Sequence, residues 1–127
     1  MNDPTWLPIS VIYVVHDRQI SRHGGTPGIR DRALIEMGCA RPLNLWAYGE
    51  PDIFDLAAGY AFGIAKAHGF VDGNKRTALV AALTFLSING IDIVPDQMTA
   101  VRQMEGLAEG TVPEAEFARW LRDTHSA

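Results

Sequence analysis

The stretch HGFVDGNKRTAL, residues 68–79, groups a histidine, an aspartate, an asparagine, a lysine and an arginine within nine residues. The sequence on both sides is almost uncharged, with IFDLAAGYAFGIAKA ahead of the stretch and TALVAALTFLSI running on from it. Helices that are hydrophobic on every face belong in the middle of a bundle. The polar stretch is therefore predicted to connect the two most buried helices, at the mouth of the core.

Length and composition predict one folded domain. With 127 residues the chain is long enough to bury a core of its own and too short for two comfortable ones, so residues 1–127 are interpreted as a single domain. Hydrophobic residues make up 47% of the chain and charged residues 20%, which is an ordinary globular balance without a compositional sign of disorder.

The overall charge argues against a general nucleic-acid-binding protein. The formal net charge is -4 and the isoelectric point is about 5.4. The phosphate backbone of DNA or RNA would be repelled on average. No DNA binding by this chain is expected.

The sequence also predicts a cytoplasmic protein. The single cysteine, Cys39, cannot form an internal disulfide, and the start MNDPTWLP lacks the basic and apolar regions of a signal peptide. The longest uncharged run, residues 77–91, is shorter than the roughly 20 apolar residues that cross a bilayer. No membrane association is expected.

Hydrophobic periodicity and helix-capping residues predict an all-α fold, a compact bundle of about six helices. Asp31, Asp52 and Asp96 are the predicted N-caps of the second, third and fifth helices. The first helix contains VIYVV, which has strand propensity, but its continuation HDRQISRH favours a helix. The predicted helices are residues 8–23, 32–41, 53–66 and 75–88, a helix that begins after Asp96, and residues 113–124.

The connections are predicted from proline and glycine. Pro42 is expected to end the second helix, and LNLWAYGEPD, residues 43–52, is expected to form an irregular excursion or short hairpin. GGTPG, residues 24–28, lacks the lysine and hydroxyl residue of a phosphate-binding P-loop and is predicted to be a plain loop. Gly69 is expected to end the third helix and Gly73 to precede the fourth.

The start of the fourth helix is a candidate phosphate site. Its first N–H groups have no partner within the helix, and the helix dipole makes that end electropositive, so basic residues are disfavoured there. Lys75 and Arg76 nevertheless stand at this end. Two cations against the dipole are explained if an anion fills the site, and a phosphate-bearing ligand is the natural candidate.

The other polar residues of the stretch complete a candidate catalytic site. Asp72 can hold Mg²⁺, which characteristically takes one or two carboxylates plus phosphate oxygens. His68 is the side chain best suited to accept a proton from a hydroxyl at neutral pH. Phe70 most simply packs inward and fixes the turn, and Asn74 can cap the helix or donate to a phosphate oxygen.

Each of these residues also has an ordinary structural explanation when taken alone. His68 would then be a surface or satisfied histidine, Asp72 or Asn74 an N-cap, and Lys75 and Arg76 a solvated helix turn. Taken together, the two cations at an electropositive helix end beside a histidine and a carboxylate favour phosphate chemistry. Outside the stretch, His16 and Asp17 lie on a helix without a metal-ligand partner at a suitable spacing.

At these residues the sequence resembles a known family. HGFVDGNKRT is similar to the HxFx(D/E)GN(G/K)R signature of the Fic/Doc superfamily. With HDRQISRHGGTPGIRD upstream and TALVAALTFLSINGI downstream, the chain resembles the death-on-curing toxin branch over about residues 11–120.

The resemblance implies an all-helical Fic fold whose motif loop and following helix bind the phosphates of ATP with Mg²⁺. It implies that His68 is the catalytic base for a target hydroxyl and that Asp72 holds the metal. It further implies phosphate contacts for Gly73, Asn74, Lys75 and Arg76, and a loop-anchoring role for Phe70. A flap that aligns the target chain would fall in residues 43–52.

Two positions depart from the adenylylating members of the superfamily. Lys75 stands where those enzymes have glycine, and Leu79 stands where they have a second arginine. Both departures match death-on-curing toxins, which phosphorylate a threonine of elongation factor Tu with ATP and so stop translation. The resemblance therefore implies a protein phosphotransferase, with an adenylyltransferase as the nearest alternative.

Two further classes stay open, and inhibition is expected from another chain. A non-catalytic nucleotide-binding or partner-binding module would not need His68, and a ribonuclease toxin is poorly supported by the acidic balance. The self-inhibitory (S/T)xxxE(G/N) pattern is absent, since at the required spacing Val101 precedes Glu105-Gly106 and Glu105 precedes Glu109-Gly110. The resemblance implies a small antitoxin whose tail folds on the toxin as a helix.

Overall fold

The computed structural model describes residues 2–127, which form six α-helices. Their bounds are α1 Ile9–His23, α2 Arg32–Tyr48, α3 Ile53–Ala67, α4 Asn74–Ile88, α5 Gln97–Glu109 and α6 Glu114–Ser126. Within residues 2–127 the only β-type pairing is a single antiparallel bridge between Ile29 and Phe70. The all-α prediction is confirmed, and VIYVV lies within α1 as a helix.

Helix α3 lies at the centre of the bundle, as its composition predicts. It contacts α2, α4, α5 and α6, and ten of its fifteen residues are buried. Its small residues let the surrounding helices approach closely, and α4 adds alanines and Phe85 to the same core. The polar stretch therefore connects the central helix α3 to α4, another helix of the core.

The predicted end of the second helix is wrong. Pro42 is buried inside α2, which continues to Tyr48. A proline within a helix leaves the carbonyl four residues earlier, here that of Gly38, without its usual N–H donor. This carbonyl lies against Gly63 of α3, where a Cβ would overlap it, and a Cβ at Gly59 would lie 3.3 Å from Pro42 Cα. Close packing on glycines of α3 therefore holds the helix together across the proline.

The predicted irregular segment is correspondingly shorter. Residues 43–48 are helical, and only residues 49–52 separate α2 from α3. Asp52 caps α3 and forms a reciprocal capping box with Asp55. A flap of the predicted length is thus absent between these two helices.

The predicted N-caps are confirmed. The side chain of Asp31 accepts from the backbone N–H groups of Ala33 and Leu34, and that of Asp96 accepts from Thr99. None of the helices within residues 2–127 combines the length and the apolar character that spanning a membrane requires.

Candidate active site

His68 occupies a backbone conformation that few residues other than glycine adopt. It follows the last turn of α3 with φ 50° and ψ 41°, and it is the only non-glycine residue with a positive φ within residues 2–127. This left-handed conformation costs about 1 kcal/mol or more in an ordinary residue. The side chain is exposed. The predicted role of Gly69 in ending α3 therefore falls to His68 instead.

Gly69 serves the loop through its lack of a side chain rather than through its φ. A Cβ there would overlap Ile35 and lie 3.1 Å from the carbonyl oxygen of Asp31. The Gly69 carbonyl accepts from the backbone N–H groups of Arg30 and Asp31 at 2.8 and 2.9 Å. Residue 69 thus lies directly on the start of α2.

The loop from residue 24 to residue 31 is part of the candidate site, although the sequence alone predicted a plain loop. Besides the contacts with Gly69, the backbone N–H of Val71 donates to the carbonyl of Gly28 at 3.1 Å, next to the Ile29–Phe70 bridge. We call residues 24–31 the clamp loop and residues 68–73 the motif loop. The clamp loop holds the motif loop by backbone hydrogen bonds that side-chain patterns do not reveal.

Phe70 packs inward beneath the motif loop. Its ring is 1% exposed, packs edge-on against Tyr13 and stacks on His16. Asn74 secures the same residue, since its amide oxygen accepts from the Phe70 N–H at 3.1 Å and its amide nitrogen donates to the Phe70 carbonyl at 2.9 Å. Of the two roles predicted for Asn74, capping of α4 does not occur, because Gly73 occupies the N-cap position and the Asn74 side chain is buried in the loop.

The carboxylate of Asp72 is held at the surface by backbone donors. One oxygen accepts from the N–H of Thr26 at 3.0 Å and the other from the N–H of Gly73 at 2.8 Å. These two hydrogen bonds hold the pKa of Asp72 below its ordinary value, with a smaller contribution from the Arg76 charge. An ionised, oriented carboxylate therefore stands beside the start of α4.

The first turn of α4 offers free hydrogen-bond donors. Gly73 has φ 75°, and the first bond of the helix runs from the Thr77 N–H to the Gly73 carbonyl. The N–H groups of Asn74, Lys75 and Arg76 therefore lack helical partners. These residues line a cavity of about 220 Å³ together with His68, Val71, Asp72 and Gly73. The structure thus brings all the predicted polar residues to one recess.

The two cations of this turn differ in their surroundings. The guanidinium of Arg76 donates to the Gly24 carbonyl at 3.1 Å and is half-buried. Lys75 is exposed and forms no hydrogen bond or ion pair within residues 2–127. Arg76 is thus oriented by the clamp loop, whereas the Lys75 charge is available to a ligand.

Fit to a metal ion rests on Asp72 alone. No cluster of three or more His, Cys, Asp or Glu side chains suited to a metal ion occurs in the described part of the chain. Each Asp72 oxygen accepts one N–H and retains a lone pair. A single carboxylate can hold Mg²⁺ when phosphate oxygens and water supply the remaining ligands. It does not make a metal site from protein ligands alone.

A buried histidine was missed as a site residue. His16 is 2% exposed, and its Nε2 lies 2.8 Å from the main-chain carbonyl oxygen of Asp72. Its ring stacks on Phe70 with centroids 3.8 Å apart. The sequence did carry a signal, because Ile12, Val15, His16 and Gln19 follow the i, i+3, i+4, i+7 spacing of a buried helix face.

Comparisons with known proteins identify the family to which the sequence is similar. The family described as "Fic/DOC family" matches residues 6–86. The protein named "Protein kinase doc" from Escherichia phage P1 is 38% identical over 112 residues, which cover 87% of this chain and 88% of that protein. "Toxin Doc" from Mycolicibacterium smegmatis is 43% identical over 76 residues, or 58% of each chain.

Proposed function

The chain belongs to the Fic/DOC family, and from that premise we propose that it is the toxin of a toxin–antitoxin module and acts as an ATP-dependent protein phosphotransferase. The proposed acceptor is a Ser/Thr hydroxyl, with elongation factor Tu as the expected target and arrest of translation as the outcome. The supporting observation is the gathering of His68, Asp72, Lys75 and Arg76 around the free N-terminus of α4.

The unpartnered Lys75 favours phosphotransfer over adenylylation. A lysine at this position fills space that a glycine would leave open. Its ammonium group forms no ion pair within residues 2–127. The triphosphate would consequently bind with its terminal phosphate near the helix end. The name of one relative, "Protein kinase doc", supports the same assignment.

The proposed reaction needs one base and one anion site. The exposed ring of His68 takes the proton of the target hydroxyl as the hydroxyl oxygen attacks the γ-phosphorus. The bond from the γ-phosphorus to the β,γ-bridging oxygen breaks, and its electron pair leaves with ADP. The backbone N–H groups of the first turn, with Lys75 and Arg76, stabilise the negative charge on the transferred group.

Asp72 is the residue proposed to hold Mg²⁺. The metal would neutralise charge on the phosphate oxygens of the nucleotide. The contribution of the chain is an ionised carboxylate whose orientation is set by Thr26 and Gly73. Phe70 and Asn74 take no part in the chemistry and keep the loop in place, and Asn74 can reach a phosphate only through its backbone N–H.

A small antitoxin is the proposed partner. One relative is named a toxin and the other shares the name Doc with it, and the residues of this chain do not match a self-inhibitory motif. Control of the activity would then come from a second protein, through a tail that folds as a helix on the toxin.

The decisive experiment follows the label of the nucleotide. Purified protein, Mg²⁺ and a translation extract are incubated with ATP labelled at the γ-phosphate or at the α-phosphate. We expect label from γ-labelled ATP, and none from α-labelled ATP, on a protein of the size of elongation factor Tu. His68→Ala should abolish transfer, whereas His125→Ala, on the exposed end of α6, should preserve it. Label from α-labelled ATP would establish adenylylation instead, and equal transfer by wild type and His68→Ala would remove the catalytic role of His68.

A further inference from the structure

We propose that His16 is a positioning residue that fixes the peptide group between Asp72 and Gly73, and through it the carboxylate of Asp72. The inference rests on the proposed function only in giving that carboxylate a catalytic purpose. The contact itself joins α1 to the motif loop across 56 positions of the sequence.

The chemistry of the contact fixes the tautomer of the histidine. The Nε2 of His16 lies 2.8 Å from the carbonyl oxygen of Asp72, and a carbonyl can only accept a hydrogen bond. Nε2 therefore carries the proton and donates it. His16 is 2% exposed, so water does not compete freely for this donor.

Both polar groups of the Asp72–Gly73 peptide are held at once. Its carbonyl accepts from His16, and its N–H donates to the Asp72 carboxylate at 2.8 Å. A peptide unit is planar, so its two ends can only turn together. Rotation of the unit would break the bond to His16 and the bond to the carboxylate in the same movement.

Stacking keeps the histidine ring in place. The rings of His16 and Phe70 are 3.8 Å apart at their centroids and only 8° from parallel. Phe70 is itself packed edge-on against Tyr13. The ring of His16 therefore restrains two positions of the motif loop, at residues 70 and 72, on either side of the exposed Val71.

The restraint extends to the start of α4. Gly73 holds the positive φ from which α4 begins, and its carbonyl accepts the first helical hydrogen bond. If the donor of His16 is lost, the peptide before Gly73 can turn, and the carboxylate loses one of its two N–H partners. The affinity of the Asp72 carboxylate for a metal ion would then fall, and the free N–H groups at the start of α4 would change direction at the same time.

Two substitutions separate the hydrogen bond from the stacking. His16→Phe keeps an aromatic ring on Phe70 but has no donor. His16→Gln removes the ring but can place an amide N–H near the position of Nε2. The first measurement is hydrogen exchange of the Gly73 amide by NMR, with the buried Leu107 amide as a reporter of global opening, in protein without nucleotide or metal. The second is the Mg²⁺ concentration that gives half-maximal ATP binding.

We expect the Gly73 amide to exchange at least about tenfold faster in His16→Phe, with Leu107 little changed, and to be largely restored in His16→Gln. The Mg²⁺ requirement should rise about tenfold in His16→Phe and recover in His16→Gln. Equal acceleration in both variants would mean that stacking alone matters and would overturn the proposal, as would no acceleration in either. If His16→Phe does not fold, the wild-type protein still decides, because the His16 ring must show a slowly exchanging Nε2 proton close to Gly73, and its absence would overturn the proposal. The exchange measurements require no catalysis, so they stand even if the proposed phosphotransfer fails.

Discussion

The Nε atom of Arg30 donates a 2.8 Å hydrogen bond to the main-chain carbonyl of His68. It thereby ties the clamp loop to the one residue outside the glycines that has a left-handed backbone within residues 2–127. A strained conformation persists only where its surroundings hold it. The backbone conformation that exposes His68, the candidate base, to solvent is therefore held by the Arg30 hydrogen bond, which does not involve the His68 side chain.

Arg30→Ala should lower transfer activity more than stability. Losing the bond lets the His68 backbone relax, and a displacement of about 1 Å at a reacting group can cost about 100-fold in rate. The loss of unfolding free energy should be about 1 kcal/mol, since Arg30 is exposed. Activity and urea denaturation are compared with those of Arg119→Ala, an exposed arginine of α6. Equal activity of the two variants would contradict the role of Arg30.

Gly25→Ala should disturb the Asp72 carboxylate. A Cβ at Gly25 would lie 2.8 Å from an Asp72 oxygen, and the φ of Gly25 is 117°. Gly90→Ala is the matched control, because Gly90 also has a positive φ, of 89°, but no atom within 4 Å of the added Cβ. Both variants should lose about 1 kcal/mol of stability, and only Gly25→Ala should need about tenfold more Mg²⁺ for ATP binding. A similar Mg²⁺ requirement in the two variants would argue against the clamp.

Asp72 should make stability depend on pH in the acid range. The N–H groups of Thr26 and Gly73 hold its folded pKa below the ordinary value of 3.8. The resulting stabilisation is present above the unfolded pKa and is lost as the pH falls through the folded pKa. The difference in unfolding free energy between wild type and Asp72→Asn should therefore be larger at about pH 7 than at about pH 2.

Asp96→Asn is the comparison for this measurement. The pKa of Asp96 is also lowered, by hydrogen bonds from the backbone and side chain of Thr99. Its pH dependence should have the same sign, whereas only Asp72→Asn should lose Mg²⁺-dependent activity at neutral pH. A difference for Asp72→Asn that is constant over the whole range would show that the two N–H donors do not favour the ionised form.

Arg76→Ala should weaken the binding of ATP more than that of adenosine. Its guanidinium stands at the free end of α4, where the structure offers donors for a phosphate. Hydrogen bonds to charged groups contribute about 1.5–3 kcal/mol, so a loss of about 10- to 100-fold for ATP is expected. Calorimetric titration of both ligands into wild type, Arg76→Ala and Arg119→Ala measures it. Equal losses for ATP and adenosine would assign Arg76 to the fold instead.

Gly63→Ala should destabilise the bundle without touching the site. A Cβ there would overlap the Gly38 carbonyl, so α2 must move away from α3 at a loss of about 3 kcal/mol. Gly38→Ala meets the same contact from the other helix and should lose a similar amount. Because one displacement relieves both, the double variant should lose less than the sum, as measured by chemical denaturation. Additive losses would mean that the two glycines are not in mutual contact.

Periodicity and capping residues predicted the helices well, since these signals are local. The aspartates at positions 31, 52 and 96 cap helices as expected, because the orphan N–H groups of a helix are satisfied by the residue just before it. Pro42 was misread because the cost of a proline depends on what surrounds its orphaned carbonyl. The orphaned carbonyl lies against Gly63 of α3, which is more than twenty residues away in the sequence.

The residues of the candidate site, and with them the family, were determined by the sequence itself. The motif from His68 to Arg76 is contiguous, so its chemistry could be seen without a fold. What only the tertiary structure decided is how this motif is held: Arg30 on the His68 carbonyl, Thr26 on the Asp72 carboxylate, and His16 beneath the loop. These contacts join backbone groups to residues 38 to 56 positions away. The burial of His16 is visible in the periodicity of α1, but none of the three pairings is, because a main-chain carbonyl can accept from, and a main-chain N–H can donate to, any partner that the packing of the helices brings within reach.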